Sequence, residues 1–119
     1  MSDLVPGPDS ALSLLQLDLD PLDPLDAGEG APPTGLRELG GFAGLEIGVW
    51  EMGEGVAFDT EVDELFVVLA GAGSIAFLDS GEVLTIGPGD LVRLTAGART
   101  RWTVTSTLRK LYLAPSSTT

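Results

Sequence analysis

The feature that most constrains the fold is a series of short apolar stretches that begins after Gly44 and is divided by glycine-containing turns. Within the stretches apolar and polar residues alternate as in β-strands, at intervals typical of all-β sandwiches and barrels. The turns are Gly53 with Gly55, Gly71-Ala72-Gly73, Ser80-Gly81 and Gly87-Pro88-Gly89. The pattern predicts strands at 45–52, 56–60, 64–70, 73–79, 82–86, 90–95, 99–105 and 108–114. Eight short strands fit a double-sheet jelly roll, which is an all-β fold.

The amino-terminal part of the chain has a different composition. Residues 1–37 hold seven acidic residues and six of the eight prolines, so they can bury little apolar surface. We predict a largely disordered acidic tail over 1–37 and one β-barrel domain over 38–119. The leucines that follow Asp9 and Ser10 could form a short helical turn capped by one of these residues. The Leu-Asp repeats in the tail are compatible with loose contact with the barrel or with docking onto a partner.

Charge and composition limit the partners of the chain. A net charge of -12 opposes binding to nucleic acid and to anionic membranes. The absence of cysteine excludes disulfides and thiolate chemistry. No apolar stretch approaches the roughly 20 residues that span a bilayer, and Asp3 and Asp9 stand where a signal peptide needs positive charge. We therefore expect a soluble, cytoplasmic protein with no nucleic-acid or membrane partner.

The strand that begins at Glu64 is apolar on both faces. Phe66 and Val68 lie on one face by alternation, whereas Leu65 and Val67 lie on the other. A strand that is apolar on both faces needs cover from inside and from outside the barrel. The outer cover is either the amino-terminal segment or a second subunit, and we expect a homodimer.

Two motifs in the barrel region resemble those of cupins. The first is represented by Glu64 and Gly71, and the second by Gly89, Thr95 and Gly97. Other segments resemble the cupin family named after (S)-ureidoglycine aminohydrolase. These segments are Gly48-Val49-Trp50-Glu51, Asp63-Glu64-Leu65-Phe66, Pro88-Gly89-Asp90, Arg101-Trp102 and Arg109-Lys110-Leu111-Tyr112. The resemblance covers residues 44–114 and implies an RmlC-like double-stranded β-helix.

The resemblance also implies positions for metal ligands, and most of the ligands are missing. Where such cupins have three histidines and a glutamate, this chain has Phe58, Thr60, Thr100 and Glu64, and it contains no histidine at all. One carboxylate cannot hold a transition metal as several converging ligands do. We therefore expect no cofactor. A hard cation on carboxylates is the remaining metal hypothesis, and its ligands would be Glu51, Glu61 and Glu64.

Glu64 is the candidate catalytic residue. The next residue on its face is Phe66, so its carboxylate should lie at the barrel mouth against apolar walls, where burial would raise its pKa. The alternative is an ion pair with an arginine of a neighbouring strand. Thr100 and Trp102 share a strand face and would form the polar wall and aromatic floor of a pocket, unless Trp102 is simply a core residue. The full set of candidate ligand-binding residues is Glu51, Phe58, Thr60, Glu64, Phe66, Thr100, Trp102 and Tyr112.

The remaining charged residues have structural interpretations. Asp59, Glu61 and Asp63 are predicted to form a solvated acidic rim. Leu111 and Leu113 are the natural core face of the last strand, which would turn Lys110 and Tyr112 the other way, unless a bulge intervenes. The cationic residues of the last third of the chain either bind an anionic ligand or balance the acidic residues, and we favour the second. They are Arg93, Arg99, Arg101, Arg109 and Lys110.

Three functions remain open. The first is a barrel that binds a small polar metabolite without a transition metal, as a sensor, carrier or accessory subunit. The second is an enzyme in which Glu64, with Glu51 or Tyr112, transfers protons, in the manner of ureidoglycine-processing or ethanolamine-utilisation cupins. The third is an interaction protein that docks through its tail. The missing histidines favour the first over metal-dependent forms of the second.

Overall fold

The barrel is built from two strands that each belong to two sheets. The structure is a computed structural model that describes residues 3–22 and 31–116. Its strands are β1 (Asp20–Pro21), β2 (Thr34–Phe42), β3 (Leu45–Met52), β4 (Gly55–Thr60), β5 (Glu64–Phe77), β6 (Val83–Ile86), β7 (Leu91–Leu94) and β8 (Arg99–Pro115). The described residues contain no helix, and therefore none long and apolar enough to cross a membrane.

The pairing of the strands is antiparallel throughout and divides into two halves. The first half of β5 pairs with β7 and with the second half of β8, which also pairs with β3, and β3 pairs with β2. The second half of β5 pairs with β6 and with the first half of β8, which also pairs with β4. Two sheets that share long strands in this way make the jelly roll that the sequence predicts.

The predicted turn at Gly71-Ala72-Gly73 is instead the point where β5 passes from one sheet to the other. Gly71 has a φ of +92°, and a side chain there would collide with the backbone carbonyl of Thr107 on β8. The pairing register of β5 with β8 shifts on both sides of this point. These glycines therefore allow a bulge and a close approach of two backbones, which merges two predicted strands into one. β8 likewise merges the predicted strands 99–105 and 108–114.

β2 is the strand that the sequence analysis missed. It contains Gly35, Gly40 and Gly41, and it carries Arg37 next to Glu38, so its apolar alternation is weak. Its register with β3 shifts between Glu38 and Gly40. The strand is held by pairing with β3 rather than by its own sequence pattern.

Residues 3–22 lie against the barrel with almost no regular secondary structure. The predicted helical turn is absent, and the only strand is β1, which pairs with β2. The Val5 amide donates to the Leu39 carbonyl at 2.7 Å. Nη1 of Arg109 donates to the carbonyls of Leu14 and Leu17 at 2.7 and 2.9 Å. This amino-terminal segment therefore supplies part of the outer cover that the sequence requires.

The core fills the space between the two halves of the barrel. Phe66, Ile75 and Leu108 are completely buried, and Val68 and Leu94 nearly so. Burying side chains of this size contributes about 1.5–3 kcal/mol each. These residues come from β5, β7 and β8, so the two long strands carry the packing that positions the site.

Candidate functional site

The inner face of β4 carries Ala57 and Asp59. Ala57 pairs with Trp102 and Asp59 pairs with Thr100, and both β8 residues are buried inside the barrel. Residues directly opposite each other in an antiparallel pair share a face.

The two β4 residues that spacing placed at the metal-ligand positions therefore lie on the opposite, outer face of the strand. Phe58 is 69% exposed and Thr60 is also exposed. The resemblance gave the correct strand with a register error of one residue, and such an error reverses the face of every side chain.

Glu61 is buried inside the barrel and does not belong to a solvated rim. Glu61 is only 7% exposed. Its Oε2 accepts hydrogen bonds from Thr100 Oγ1 at 2.6 Å and from Trp102 Nε1 at 2.9 Å. Its backbone is fixed by two hydrogen bonds with Gly97 and Ala98. The two predicted inward residues thus converge on Glu61 and not on Glu64. By alternation Glu61 continues the face of Ala57 and Asp59, so the register error that turned Phe58 and Thr60 inward also placed Glu61 at the solvated rim.

The other two predicted rim residues remain exposed. Asp63 accepts a hydrogen bond from the Ala96 amide at 2.9 Å and so ties together two loops. Asp59 keeps access to solvent at the inner face, but partial burial raises the pKa of its carboxyl, and the neighbouring Glu61 carboxylate raises it further. The Thr60 amide and the Lys110 ammonium act on this pKa in the opposite direction.

Lys110 lies at the centre of the barrel, contrary to the prediction that it turns outward. Nζ donates to Glu64 Oε2 at 2.7 Å, and both side chains are nearly buried. The ammonium is 4.8, 4.5 and 5.0 Å from the ring centroids of Trp50, Phe66 and Trp102. An ion pair with an arginine is the alternative to a catalytic role for Glu64. The structure shows such an ion pair, but its cation is Lys110.

The direction of Lys110 follows from its partner on β3. Lys110 pairs with Trp50 and Tyr112 pairs with Gly48, and these residues share the inner face. Leu111 and Leu113 therefore lie on the outer face, where they are half-buried. The prediction that Leu111 and Leu113 face the core was wrong, because the outer face is itself partly covered and also carries apolar residues.

Tyr112 occupies the space above a glycine. A side chain at Gly48 would overlap its ring. Burial is the main cause that raises the pKa of Tyr112 to about 12, and the carboxylates of Glu38, Glu46 and Glu64 add to it. The phenol is therefore protonated near neutral pH and cannot act there as a base.

Glu51 lies outside the barrel interior. It accepts a hydrogen bond from Arg109 Nε at 2.8 Å, and this arginine also holds the amino-terminal segment. Glu51 and Arg109 border an open space of about 340 Å³ between that segment and the barrel. The structure therefore separates Glu51 from the other candidate site residues.

A cavity of about 220 Å³ lies between the inner face of the barrel and the amino-terminal segment. Its barrel wall contains Trp50, Trp102 and Asp59, with the exposed Phe58 beside them. The two indole rings have centroids 5.8 Å apart and are inclined by 59°. The remaining lining residues are Leu22, Ala31, Pro32, Thr34, Met52 and Ala57. Glu64, Phe66, Thr100 and Tyr112 are inside the barrel but do not border this cavity.

The residues at the positions where cupins bind a metal do not fit one. Among residues 3–22 and 31–116 no group of three or more Asp and Glu side chains could hold a metal ion. Ala57 offers no ligand atom, and the Lys110 ammonium is bound to Glu64, the one carboxylate that the cupin motif retains. A fixed positive charge at this place opposes a divalent cation.

A comparison of the sequence with protein families decides the classification. The model of the EutQ-like cupin domain matches residues 41–112, which is more than half of the chain. The chain belongs to the EutQ-like cupin family. No curated protein matches the chain.

Solved structures agree with the cupin fold. The EutQ protein of Clostridium difficile has a TM-score of 0.72 and 22% identity, over 91% of this chain and 88% of that one. A putative ethanolamine utilization protein Q of Salmonella typhimurium has a TM-score of 0.65 and 22% identity, over 78% and 76%. The polyketide cyclase RemF of Streptomyces resistomycificus has a TM-score of 0.66 and 20% identity, over 89% and 78%. These similarities establish the fold.

Proposed function

We propose that this EutQ-like cupin is a cytoplasmic protein that binds a small polar metabolite without a transition metal, as a sensor, carrier or accessory subunit. The observation that carries the proposal is the cavity of about 220 Å³ between Trp50, Trp102 and Asp59. An apolar, aromatic wall with a few polar groups, here Asp59 and Thr34, is typical of ligand pockets. The volume lies below the roughly 300–1,000 Å³ of pockets for drug-sized molecules, so the ligand is small.

The two other functions have less support. Glu64 is neutralised by Lys110, and the pKa of Tyr112 is too high for a base, so neither residue suits proton transfer at neutral pH. Arg109 binds the backbone carbonyls of Leu14 and Leu17, so this part of the tail is held against the barrel of its own chain. Both observations favour a binding protein.

A ligand screen tests the proposal. The panel contains ureides, because of the resemblance to the ureidoglycine aminohydrolase type, and amino alcohols, because of the name of the Salmonella relative. It also contains short carboxylates and sugar acids. A ligand of the native state raises the melting temperature, by mass action. We expect at least one compound to do so.

Two variants show whether such a compound uses the cavity. Ala57→Leu places a larger side chain in the cavity wall and should abolish the thermal shift. Val56→Phe adds bulk at a neighbouring exposed position that does not border the cavity, and it should leave the shift intact. Equal shifts in both variants would contradict the proposed site.

The purified protein should also contain less than stoichiometric Zn, Fe, Mn, Ni or Cu by elemental analysis.

A further inference from the structure

We propose that the cavity recognises an organic cation carried on a small apolar body. This inference rests on the proposed function and specifies its ligand. Trp50 and Trp102 supply the aromatic faces, and Asp59 supplies a carboxylate in the same wall. Aromatic faces attract cations through their quadrupole, most strongly where water is excluded.

The two tryptophans already bind one cation. Lys110 Nζ lies 4.8 Å from the Trp50 centroid and 5.0 Å from the Trp102 centroid. Lys110 does not border the cavity, whereas both tryptophans do. The same two residues thus contact Lys110 and border the cavity. Because Glu64 is 2.7 Å from the ammonium, the charge of Lys110 is balanced inside the barrel.

The balance of charge around the cavity favours a further cation. Three carboxylates and one ammonium act on one another here: those of Asp59, Glu61, Glu64 and Lys110. Within residues 3–22 and 31–116, neither Asp59 nor Glu61 forms a salt bridge. In the same described residues, the Glu61 carboxylate receives hydrogen bonds from two neutral groups, those of Thr100 and Trp102. An anionic ligand would add to this uncompensated negative charge, whereas a cation would reduce it.

Arg99 does not supply the missing positive charge. It borders a shallow depression next to Asp59. However, its guanidinium is paired with Asp79, and this pair holds the pKa of Asp79 below its usual value. Arg99 therefore does not neutralise Asp59.

The pH dependence supplies an internal check. Burial and the Glu61 carboxylate raise the pKa of Asp59 in the folded state above 3.8. The folded protein then binds the proton more tightly than the unfolded chain, so ionisation of Asp59 lowers stability as the pH rises above 3.8. A bound cation favours the ionised carboxylate and opposes this loss. Its stabilising effect should therefore be larger at pH 7 than near pH 4.

Three probes of matched shape test the charge of the ligand. Choline is the cation, 3,3-dimethyl-1-butanol is its neutral isostere, and 3,3-dimethylbutanoate is an anion with the same tert-butyl body. In thermal-shift measurements at millimolar concentration and pH 7, we expect choline to raise the melting temperature of the full chain by several degrees. The alcohol should raise it much less, and the carboxylate should not raise it.

Two charge-removing variants locate the effect. Asp59→Asn should abolish the preference of choline over the alcohol, and it should raise the melting temperature of the free protein at pH 7. Glu54→Gln changes the net charge equally at an exposed position outside the cavity, and it should preserve the preference. Retention of the preference in Asp59→Asn would overturn the inference.

The outcomes separate this inference from the proposed function. If the alcohol or the carboxylate stabilises the protein as well as choline does, and Ala57→Leu abolishes the effect, the cavity binds ligands but does not select cations. That result overturns the inference and leaves the proposed function intact. A failure of choline at millimolar concentration also overturns it. Failure of every compound in the metabolite screen overturns the proposed function itself.

Discussion

At the scale of single residues, the interior is organised by one ammonium and the carboxylates around it. Lys110 has its charge balanced by Glu64 and its alkyl chain packed among three aromatic rings. A buried charge is tolerated when a partner and good geometry offset the loss of hydration, and it becomes costly when the partner is removed. Glu64 is therefore first of all a structural partner of Lys110, and its replacement should lower stability.

We expect Glu64→Gln to lower the free energy of unfolding by about 3–5 kcal/mol, because Lys110 then keeps a buried, unbalanced charge. Lys110→Met should have a similar cost, because Glu64 then keeps a buried, unbalanced negative charge. The double variant should recover most of the loss, since the methionine packs among the rings and neither position then carries a buried charge. Guanidinium denaturation at pH 7 measures all four proteins. Additive losses would show that the two side chains do not act as a pair.

The sequence revealed some of these residues and concealed others. Trp102 and Thr100 could be placed inside the barrel because alternation along β8 is regular. Glu61 could not, because the register expected for β4 puts it on the outer face, whereas it accepts hydrogen bonds from Thr100 and Trp102 inside the barrel. Lys110 could not, because a charged side chain is expected to be exposed to solvent. Its burial depends on Glu64 and on aromatic rings that lie on other strands.

At the scale of strands, the glycines of β5 set the geometry more than its apolar residues do. The apolar pattern predicts where the strand is, but the same glycines that signal a turn also permit two backbones to approach. A sequence cannot distinguish these roles, because the difference depends on Thr107, which lies on another strand. β2 was missed for a related reason, since its pairing with β3 compensates for a weak pattern.

Gly71→Ala should be far more destabilising than Gly81→Ala. Both glycines have positive φ, 92° and 79°, so both variants incur the cost of that backbone conformation, about 1–2 kcal/mol. Only at Gly71 would the new methyl group meet a backbone carbonyl, that of Thr107, whereas the space around Gly81 is open. We expect Gly71→Ala to cost more than about 4 kcal/mol or to prevent folding. Similar melting temperatures for the two variants would contradict a tight β5–β8 crossing.

At the scale of the whole molecule, two different covers are needed for the outer face of the barrel. The amino-terminal segment is bound to β2 and to Arg109 of β8. It leaves Leu65 and Leu91 exposed by 43% and 67% on the outer face of β5 and β7. We propose that a second copy of the chain covers these leucines, as the expectation of a homodimer requires.

Light scattering after gel filtration should give the mass of a dimer. Leu91→Asp should convert it to a monomer, since a carboxylate at this position would lose its hydration when a second copy covers the patch. Val56→Asp is the control, because Val56 is 47% exposed on β4, which pairs with the other half of β8. A dimer that persists in Leu91→Asp and dissociates in Val56→Asp would move the interface to β4. A monomeric mass at all concentrations would exclude a homodimer.

A chain that begins at Ala31 should still fold, although less stably than the full chain. The main core cluster lies between Met52 and Leu108, so removal of the amino-terminal segment leaves it intact. The truncated chain loses the hydrogen bond to Leu39, the pairing of β1 with β2, and both carbonyl partners of Arg109. We expect β-type circular dichroism and a cooperative melt at a lower temperature.

In the full chain Arg109→Lys should reproduce part of this loss of stability, because a lysine ammonium lacks the planar fork with which Arg109 holds Glu51 and two carbonyls. In the truncated chain the same substitution should cost less, and an equal cost in both chains would show that Arg109 does not anchor the segment.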